Sequence, residues 1–298
     1  MKDNSPVIQT HDLSKIYGKL EALRNLNLLI GRHQITAFLG QNGAGKSTAI
    51  KCLLGMMRPS GGEANVLGWR VGDRAADREI RQRVAFVAEN KPLYGYMTVE
   101  QLLRFTGSFY PDWRPKLATS LLAEFRLPLG KKIKALSKGM RTKLALLLAF
   151  ARKPELLILD EPTEGLDPVG IEQFLRMIVN CVSEGTTVFF SSHQISEVER
   201  IADHVCILDE GCLKVDVSMD DLRMSYRQVD LVFPDFKSEA DFRVSGMERI
   251  QINGRQIRIF TSKNTDVVVE RAQRLQATSI EVNPVGLREI FLEAAREG

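Results

Sequence analysis

The stretch Ile35-Thr-Ala-Phe-Leu-Gly40-Gln-Asn-Gly-Ala-Gly-Lys46-Ser-Thr48 decides the fold of this 298-residue chain. Its first five residues form an apolar run typical of a buried strand, and residues at helical spacing continue from Ser47 to Met57. The glycines between them indicate a tight turn, so the segment predicts a strand–loop–helix unit. The turn matches the pattern G-x-x-x-x-G-K-[ST] in the strand-then-helix context that makes such a match meaningful.

The loop after this strand has the chemistry of a phosphate-binding site. Glycines allow backbone N–H groups to crowd a β-phosphate at a helix N-terminus. Lys46 would neutralise β- and γ-phosphate oxygens, and Ser47 would offer its hydroxyl to Mg²⁺. A plain glycine-rich turn is the weaker alternative, because such a string arises by chance in roughly one chain in a hundred of this length. The predicted ATP-binding residues are Gly40, Gln41, Asn42, Gly43, Ala44, Gly45, Lys46, Ser47 and Thr48.

Two adjacent carboxylates follow a second buried strand. Leu156 to Leu159 is wholly apolar, and Asp160 and Glu161 come directly after it. Ligands of open α/β sheets bind beyond the carboxyl ends of the strands. We expect Asp160 to hold Mg²⁺ through water and Glu161 to act as the general base that polarises the attacking water. A solvated turn would give the same string, but together with the phosphate loop the pair predicts ATP hydrolysis.

The remaining pattern predicts two domains of different character. Residues 7 to 39 indicate short strands, and a capping box at Thr98 and Gln101 begins a helical insertion that continues to about Arg126. After about Asp216 the pattern changes to a small α+β module. Further predicted elements are strands Val84–Val87, Val188–Phe190, Val205–Leu208 and Ser279–Val282, helices Ser137–Lys153, Ser196–Ile201, Asp266–Leu275 and Leu287–Ala295, and a hairpin from Ile250 to Phe260 turning on Asn253-Gly254.

Charge and hydropathy exclude several classes of function. Lys plus Arg exceeds Asp plus Glu by 41 − 37 = 4, too small a surplus to indicate a nucleic-acid partner. The longest notable apolar run, Leu144 to Ala151, is flanked by charges, whereas a membrane-spanning helix needs roughly 20 apolar residues. A membrane role therefore requires a partner chain. The cysteines lack C-x-x-C spacing and are expected to be buried thiols in a reducing, cytosolic compartment: Cys52, Cys181, Cys206 and Cys212.

A third motif carries a resemblance to a known family. Leu136-Ser-Lys-Gly-Met140 is similar to the signature motif Leu-Ser-Gly-Gly-Gln, and with the two motifs above the chain resembles ABC transporter ATP-binding subunits over residues 7 to about 215. Lys138 and Met140 replace the common Gly and Gln, whereas Ser137 and Gly139 are retained. The resemblance implies a two-fold dimer in which this helix end faces the γ-phosphate of the other subunit. An ordinary N-cap serine is the alternative for Ser137.

The resemblance assigns four further residues. Asp167, in Gly165-Leu-Asp-Pro168, would bridge between subunits, and His193 would sense the γ-phosphate and the catalytic water. Tyr17 would stack on adenine, and Glu89 stands where the family often has a Gln that touches Mg²⁺ and senses the membrane partner. The open alternatives are an Asp-Pro turn, a structural histidine, a core tyrosine and a loop carboxylate. Tyr94 and Tyr96 could dock a partner helix or be buried in the core.

The resemblance implies an α/β fold: a P-loop NTPase core of the ABC ATPase type with an antiparallel β subdomain and a helical insertion. The expected domains are an ATPase domain at 1–216, with its helical subdomain at about 97–150, and an accessory domain at 217–298. The expected function is ATP hydrolysis that drives separate membrane subunits, with export favoured, at the cytoplasmic face of the membrane. A soluble clamp on nucleic acid or the ribosome, and a weakly active regulatory subunit in an asymmetric heterodimer, are the alternatives.

Overall fold

The computed structural model describes residues 5–238, 241–242 and 247–294, which divide into two compact units, Met1–Asp216 and Val217–Gly298. The predicted end of the last helix, Ala295, lies outside the described residues. No helix among the described residues is long and apolar enough to cross a membrane.

A six-stranded sheet forms the centre of the first unit, in the order β11-β10-β4-β9-β8-β7. The residues of its central strands are almost all buried because helices cover both faces of a parallel sheet. The strands are β4 (Ile35–Leu39), β7 (Val84–Val87), β8 (Leu156–Asp160), β9 (Thr187–Ser192), β10 (His204–Asp209) and β11 (Cys212–Ser218).

The strand register brings the predicted chemistry to one edge of this sheet. β4 and β9 are parallel with Leu39 opposite Ser192, and β8 and β9 are parallel with Asp160 opposite Ser191. The phosphate loop, the two carboxylates and His193 all follow the carboxyl ends of these three neighbouring strands. Residues separated by more than 100 positions in the sequence therefore meet at one place, as expected for open α/β sheets.

A second sheet of the first unit is antiparallel, and helices surround both sheets. Its strands are β1 (Ile8–Tyr17), β2 (Leu20–Leu26), β3 (Leu29–Ile30), β5 (Gly61–Val66) and β6 (Trp69–Arg70). The helices are α1 (Lys46–Leu53), α2 (Arg74–Arg83), α3 (Val99–Gly107), α4 (Pro115–Glu124), α5 (Lys138–Phe150), α6 (Pro168–Ser183) and α7 (Ile195–Ile201). This is the predicted mixed α/β architecture, with α3 and α4 in the helical insertion.

The second unit has its own antiparallel sheet in the order β13-β14-β12-β15. Val229 and Leu231 of its central strand pack with Ile257 and Ile259 and with α9, which gives the unit a separate hydrophobic core. Its elements are α8 (Met219–Ser225), β12 (Arg227–Val232), β13 (Met247–Asn253), β14 (Gln256–Thr261), α9 (Thr265–Arg274), β15 (Ser279–Pro284) and α10 (Leu287–Ala294).

Several predicted element ends were wrong, and each error has a local cause. The helix expected over Ser47–Met57 ends at Leu53, just before Gly55 at φ +65°. The helix expected to reach Lys153 ends at Phe150, and Lys153 itself has φ +51°. The hairpin turns on Gly254-Arg255, because Asn253 still pairs with Gln256. A residue with positive φ ends a helix or reverses a strand. In a sequence, only Gly indicates in advance where such a conformation will occur.

Three helices of the described residues, α2, α6 and α8, were not predicted, and one predicted burial was wrong. The charged segment Arg74–Arg83 is helix α2, capped by the Asp73 side chain. The Asp167-Pro168 pair, whose alternative reading was a turn, begins the 16-residue helix α6 with Asp167 as N-cap and Pro168 in its first turn, a recognised start signal. Of the four cysteines, Cys212 is only partly buried, since its strand β11 lies at the edge of the sheet.

Candidate active site

The phosphate loop runs from the end of β4 to the start of α1, and its shape depends on glycine. Gly43 and Gly45 have φ values of +87° and +107°, which L side chains rarely adopt. A Cβ at Gly45 would lie 2.4 Å from the carbonyl oxygen of Ala22, and one at Gly40 would lie 2.5 Å from that of Leu208. Gln41, Asn42 and Gly43 are exposed at the tip. The loop therefore presents its backbone, without side chains in the way, at the N-terminus of α1.

Lys46 reaches back over this loop. Its side chain is 6% exposed, and its Nζ donates to the carbonyl oxygens of Gly40 at 2.7 Å and Gln41 at 3.2 Å. The same Nζ lies 3.7 Å from Oε1 of Glu161. A lysine held in this way carries its charge at the loop where phosphates would lie, and Ser47 and Thr48 follow it in the first turn of α1.

Asp160 and Glu161 are held by one buried hydroxyl that the sequence analysis did not identify. Ser191 Oγ donates to Asp160 Oδ1 at 2.6 Å and accepts from the backbone N–H of Glu161 at 3.0 Å. Asp160 is 4% exposed and Glu161 is 9% exposed. The hydroxyl engages one oxygen of Asp160, so its second oxygen can face a cation. The register of β8 against β9 sets this contact, and a serine on a distant strand gave no signal in the sequence.

His193 contacts the carboxylate predicted to be the base. Its Nδ1 lies 2.8 Å from Oε2 of Glu161, and since an ionised carboxylate only accepts hydrogen bonds, Nδ1 is the donor. The His193 side chain is about half exposed, whereas the buried Oε1 of Glu161 has no hydrogen-bond partner among the described residues. The geometry brings His193, Glu161 and Lys46 together around this carboxylate, and Lys46 Nζ, at 3.7 Å, is the cation beside the buried Oε1.

The residues predicted to meet Mg²⁺ line one cavity of about 470 Å³. They are Ser47 from α1, Asp160 from β8 and Glu89 from the loop after β7. A hydroxyl and two carboxylates are hard oxygen donors, which is the ligand chemistry that Mg²⁺ prefers. The residues present therefore fit the ion, and of the two carboxylates Glu89 is exposed and Asp160 is buried.

The signature segment begins helix α5. Ser137 is the N-cap, and its Oγ accepts from the N–H of Met140 at 3.2 Å. Gly139 packs so closely that a Cβ would lie 2.7 Å from the carbonyl oxygen of Gly165. The exposed Lys138 forms an ion pair with Glu164, and the Lys138 hydrogen bond lowers the pKa of that carboxyl. The retained residues, Ser137 and Gly139, keep the backbone shape. The two substituted residues, Lys138 and Met140, are exposed and partly exposed.

Asp167 and Tyr17 lie at the two exposed margins of this region. Asp167 caps α6 by accepting from the N–H of Gly170 at 2.7 Å, and its side chain is 66% exposed and 3.8 Å from Lys143 Nζ. Tyr17 ends β1 with its ring 42% exposed, its hydroxyl on Met57 Sδ and Lys15 Nζ 5.2 Å from the ring centroid. The tyrosine is therefore not a core residue, and a flat ring could approach it.

Comparison with known proteins places these features in a family. The sequence profile described as ABC transporter matches residues 23–164, and one described as AAA domain, putative AbiEii toxin, Type IV TA system matches residues 132–199. The bacitracin transport ATP-binding protein BcrA of Bacillus licheniformis is 35% identical over 227 residues, covering 75% of this chain and 74% of BcrA. The ABC transporter ATP-binding protein YcbN of Bacillus subtilis is 31% identical over 285 residues, covering 92% of this chain and 91% of YcbN.

The chain belongs to the ATP-binding proteins of ABC transporters. A solved ATP-binding subunit of an ABC transporter has the same fold, with a TM-score of 0.68 and 33% identity over 73% of this chain and 92% of that one. This subunit of an ABC transporter therefore binds and hydrolyses ATP. The likeness to YcbN leaves at most about a twelfth of the chain unmatched, so it extends into the second unit.

Two buried charged groups of this ABC subunit were missed by sequence reasoning. Lys91, in the loop that carries Glu89, is 7% exposed, and its burial lowers the pKa of its ammonium while Glu164 and Glu89 oppose that shift. Glu197 on α7 is 6% exposed, and its burial raises the pKa of its carboxyl although Thr163 donates a hydrogen bond to it. Both look like ordinary surface residues in the sequence, because only the fold reveals their burial.

Proposed function

We propose that two copies of this subunit, or one copy and a related ATPase chain, close on two molecules of ATP·Mg²⁺ and drive separate membrane-spanning subunits. The observation that carries the proposal is the division of the site. The phosphate loop, Asp160, Glu161 and His193 are assembled within one chain, whereas Ser137, Lys138 and Asp167 are exposed at the margin. A second chain facing the first would add its signature segment to the γ-phosphate bound by the first.

The arrangement of side chains supports an in-line attack of water on the γ-phosphorus. Lys46 and the loop amides would bind the β- and γ-phosphates, and Ser47, Asp160 and Glu89 would hold Mg²⁺, which neutralises phosphate charge when bound. Glu161 would accept the proton of the attacking water. His193, donating to Oε2, would fix the carboxylate and act as the sensor of the γ-phosphate. Tyr17 would stack on adenine, contributing about 1 kcal/mol.

Exposed aromatic side chains support a membrane partner. Tyr94, Tyr96, Phe105 and Phe109 are between 39% and 69% exposed, and neighbouring rings lie 4.9 to 6.0 Å apart. This aromatic cluster follows the loop of Glu89, so a helix that docks on it can act on that loop. Because the proposed partner spans the membrane, we propose that the subunit lies at the cytoplasmic face of the cell membrane. BcrA is named for bacitracin transport, which supports transport of a cargo molecule, and we propose that the direction is export.

The shared site can be tested by trapping the closed pair. Glu161→Gln keeps the side-chain shape but removes the base, so it should bind MgATP, lose hydrolysis by about 10³-fold and accumulate as a dimer. In that background, a cysteine at Asn42 of one tagged chain and at Ser137 of another should crosslink between chains only with ATP. Crosslinks confined to single chains, or rapid turnover by Glu161→Gln, would contradict the proposal. Chains carrying only the native cysteines provide the matched control.

The membrane partner needs a separate experiment. The tagged subunit, purified from detergent-solubilised membranes, should retain a multi-span protein, and Tyr96→Ser should reduce that recovery while leaving ATP binding unchanged. If the wild-type and Tyr96→Ser subunits retained equal amounts of the multi-span protein, the aromatic cluster would not be the docking site. A chain that hydrolyses ATP only when mixed with a second, different ATPase chain would identify the heterodimer in place of the homodimer.

A further inference from the structure

Lys91 is a buried lysine with no part in the phosphate-binding and hydrolytic chemistry described above. It lines the same cavity as Ser47, Asp160 and Glu89. Its Nζ donates to the carbonyl oxygen of Glu89 at 2.8 Å and lies 3.5 Å from the carbonyl oxygen of Glu161. Lysine rarely gives up its hydration without compensation. One ammonium group thus connects two loops that belong to different strands, β7 and β8.

Both ends of this connection have unusual backbone conformations. Lys91 has φ +45° and Glu161 has φ +46°, a left-handed region that residues with a Cβ seldom adopt. Strained residues of this kind persist only where the surroundings determine their conformation, and they concentrate at functional sites. The carbonyl of Glu161 also accepts from the N–H of Glu164 at 3.3 Å. The conformation of Glu161 is therefore held on its carbonyl side by Glu164 and Lys91, and on its amide side by Ser191.

We propose that Lys91 is a positioning residue that ties the Glu89 loop to the Glu161 loop and so keeps the Glu161 carboxylate in place for the attacking water. The inference rests on the proposed function, because it takes Glu161 as the proton acceptor.

The contacts of Lys91 predict which kinetic constant changes. Its ammonium is directed at the backbone of the two loops, while Lys46 is the cation that lies on the phosphate loop. Loss of Lys91 should therefore disturb the arrangement of Glu161 much more than the binding of the triphosphate. The expected pattern is a lower kcat with nearly unchanged affinity for MgATP.

The test compares Lys91→Met with Lys116→Met, a matched change at an exposed lysine of α4. Lys91→Met should lower kcat about tenfold, the loss expected for one hydrogen bond from a charged group, with the Kd for MgATP within about threefold of wild type. Amide hydrogen exchange of the nucleotide-free chain supplies a readout independent of activity. Lys91→Met should accelerate exchange by about tenfold at 161–166 as well as at 88–91. Lys116→Met should leave both segments unchanged.

A second variant keeps the test valid if Lys91→Met does not fold. Lys91→Arg keeps the charge and the donors, so it should retain more than about a third of kcat and wild-type exchange at 161–166. If Lys91→Met left amide exchange at 161–166 unchanged, Lys91 would not tie the two loops together. If the variant also lost MgATP affinity tenfold, Lys91 would instead contact the nucleotide. Because exchange is measured on the single chain, these outcomes do not depend on dimer formation, which the Glu161→Gln trap tests separately.

Discussion

Two helix N-termini of this subunit satisfy their backbone N–H groups in opposite ways. Helix α1 begins after Gly45, which has no side chain to act as a cap, and its left-handed φ of +107° opens the first turn toward the loop. Helix α5 begins after Ser137, whose Oγ accepts from the N–H of Met140. The first turn of α1 therefore offers its amides to an external anion, whereas that of α5 is already capped.

This difference teaches which substitutions each motif tolerates. The phosphate loop needs glycine for conformation, so almost any side chain at Gly45 collides with the backbone. The signature segment keeps its shape through Ser137 and the close packing of Gly139 on Gly165, while Lys138 is exposed and pairs with Glu164. Departures from the family pattern at Lys138 and Met140 are therefore structurally mild. We expect their effect to fall on a chain that docks against the N-terminus of α5.

The largest expected effect is that of Gly45→Ala on the phosphate loop. The added Cβ would lie 2.4 Å from a backbone oxygen and would hold an L residue at φ +107°. We expect a loss of at least about 3 kcal/mol in the free energy of unfolding and no measurable ATP binding. Gly43→Ala is the matched control, since its φ is +87° but nothing lies within 4 Å of the new Cβ. It should cost only about 1 kcal/mol by denaturant titration. If both variants lost the same free energy of unfolding, the collision of the Cβ at Gly45 would add nothing to the strain of a positive φ.

Ser191→Ala should have the next largest effect, because it removes the hydroxyl that joins Asp160 to the amide of Glu161. A hydrogen bond to a buried carboxylate contributes about 2 kcal/mol, so unfolding should become easier by that amount. The kcat should fall about tenfold or more as the two carboxylates lose their shared anchor. Ser192→Ala is a matched control, since its Oγ instead accepts from the N–H of Gln194. If both variants keep kcat, the two acids do not need this anchor.

Ser137→Ala tests the other side of the comparison and should cost less. Loss of an N-cap hydroxyl destabilises a helix by about 1 kcal/mol, and Ser137→Asp, which can still cap, should recover most of that stability. Since this segment is not part of the chain's own phosphate loop, MgATP affinity of the single chain should stay within about twofold of wild type. A strong loss of single-chain affinity would show that α5 contacts the nucleotide bound by its own chain.

The sequence predicted the phosphate loop and five of the six strands of the central sheet, all but β11, because their signals are local. A strand with four apolar residues, followed by glycines, identifies β4 and its loop. The capping box at Thr98 is present in the structure with both reciprocal hydrogen bonds. The contacts of Ser191, Lys91 and Glu197 depend on which strands and loops become neighbours. Those long-range pairings leave no pattern in a single sequence, so Ser191 and Lys91, which contact the backbone of Glu161, could not be predicted.

The smallest expected effect is a pH dependence with opposite signs at two glutamates. Burial raises the pKa of Glu197, so its charged form opposes folding, and wild type should lose stability relative to Glu197→Gln as pH rises above about 4. Lys138 lowers the pKa of the more exposed Glu164, so wild type should lose stability relative to Glu164→Gln as pH falls below about 4. Urea titrations between pH 3 and pH 7 measure both differences. If the two curves ran in the same direction, either burial would not set the pKa of Glu197 or the Lys138 hydrogen bond would not set that of Glu164.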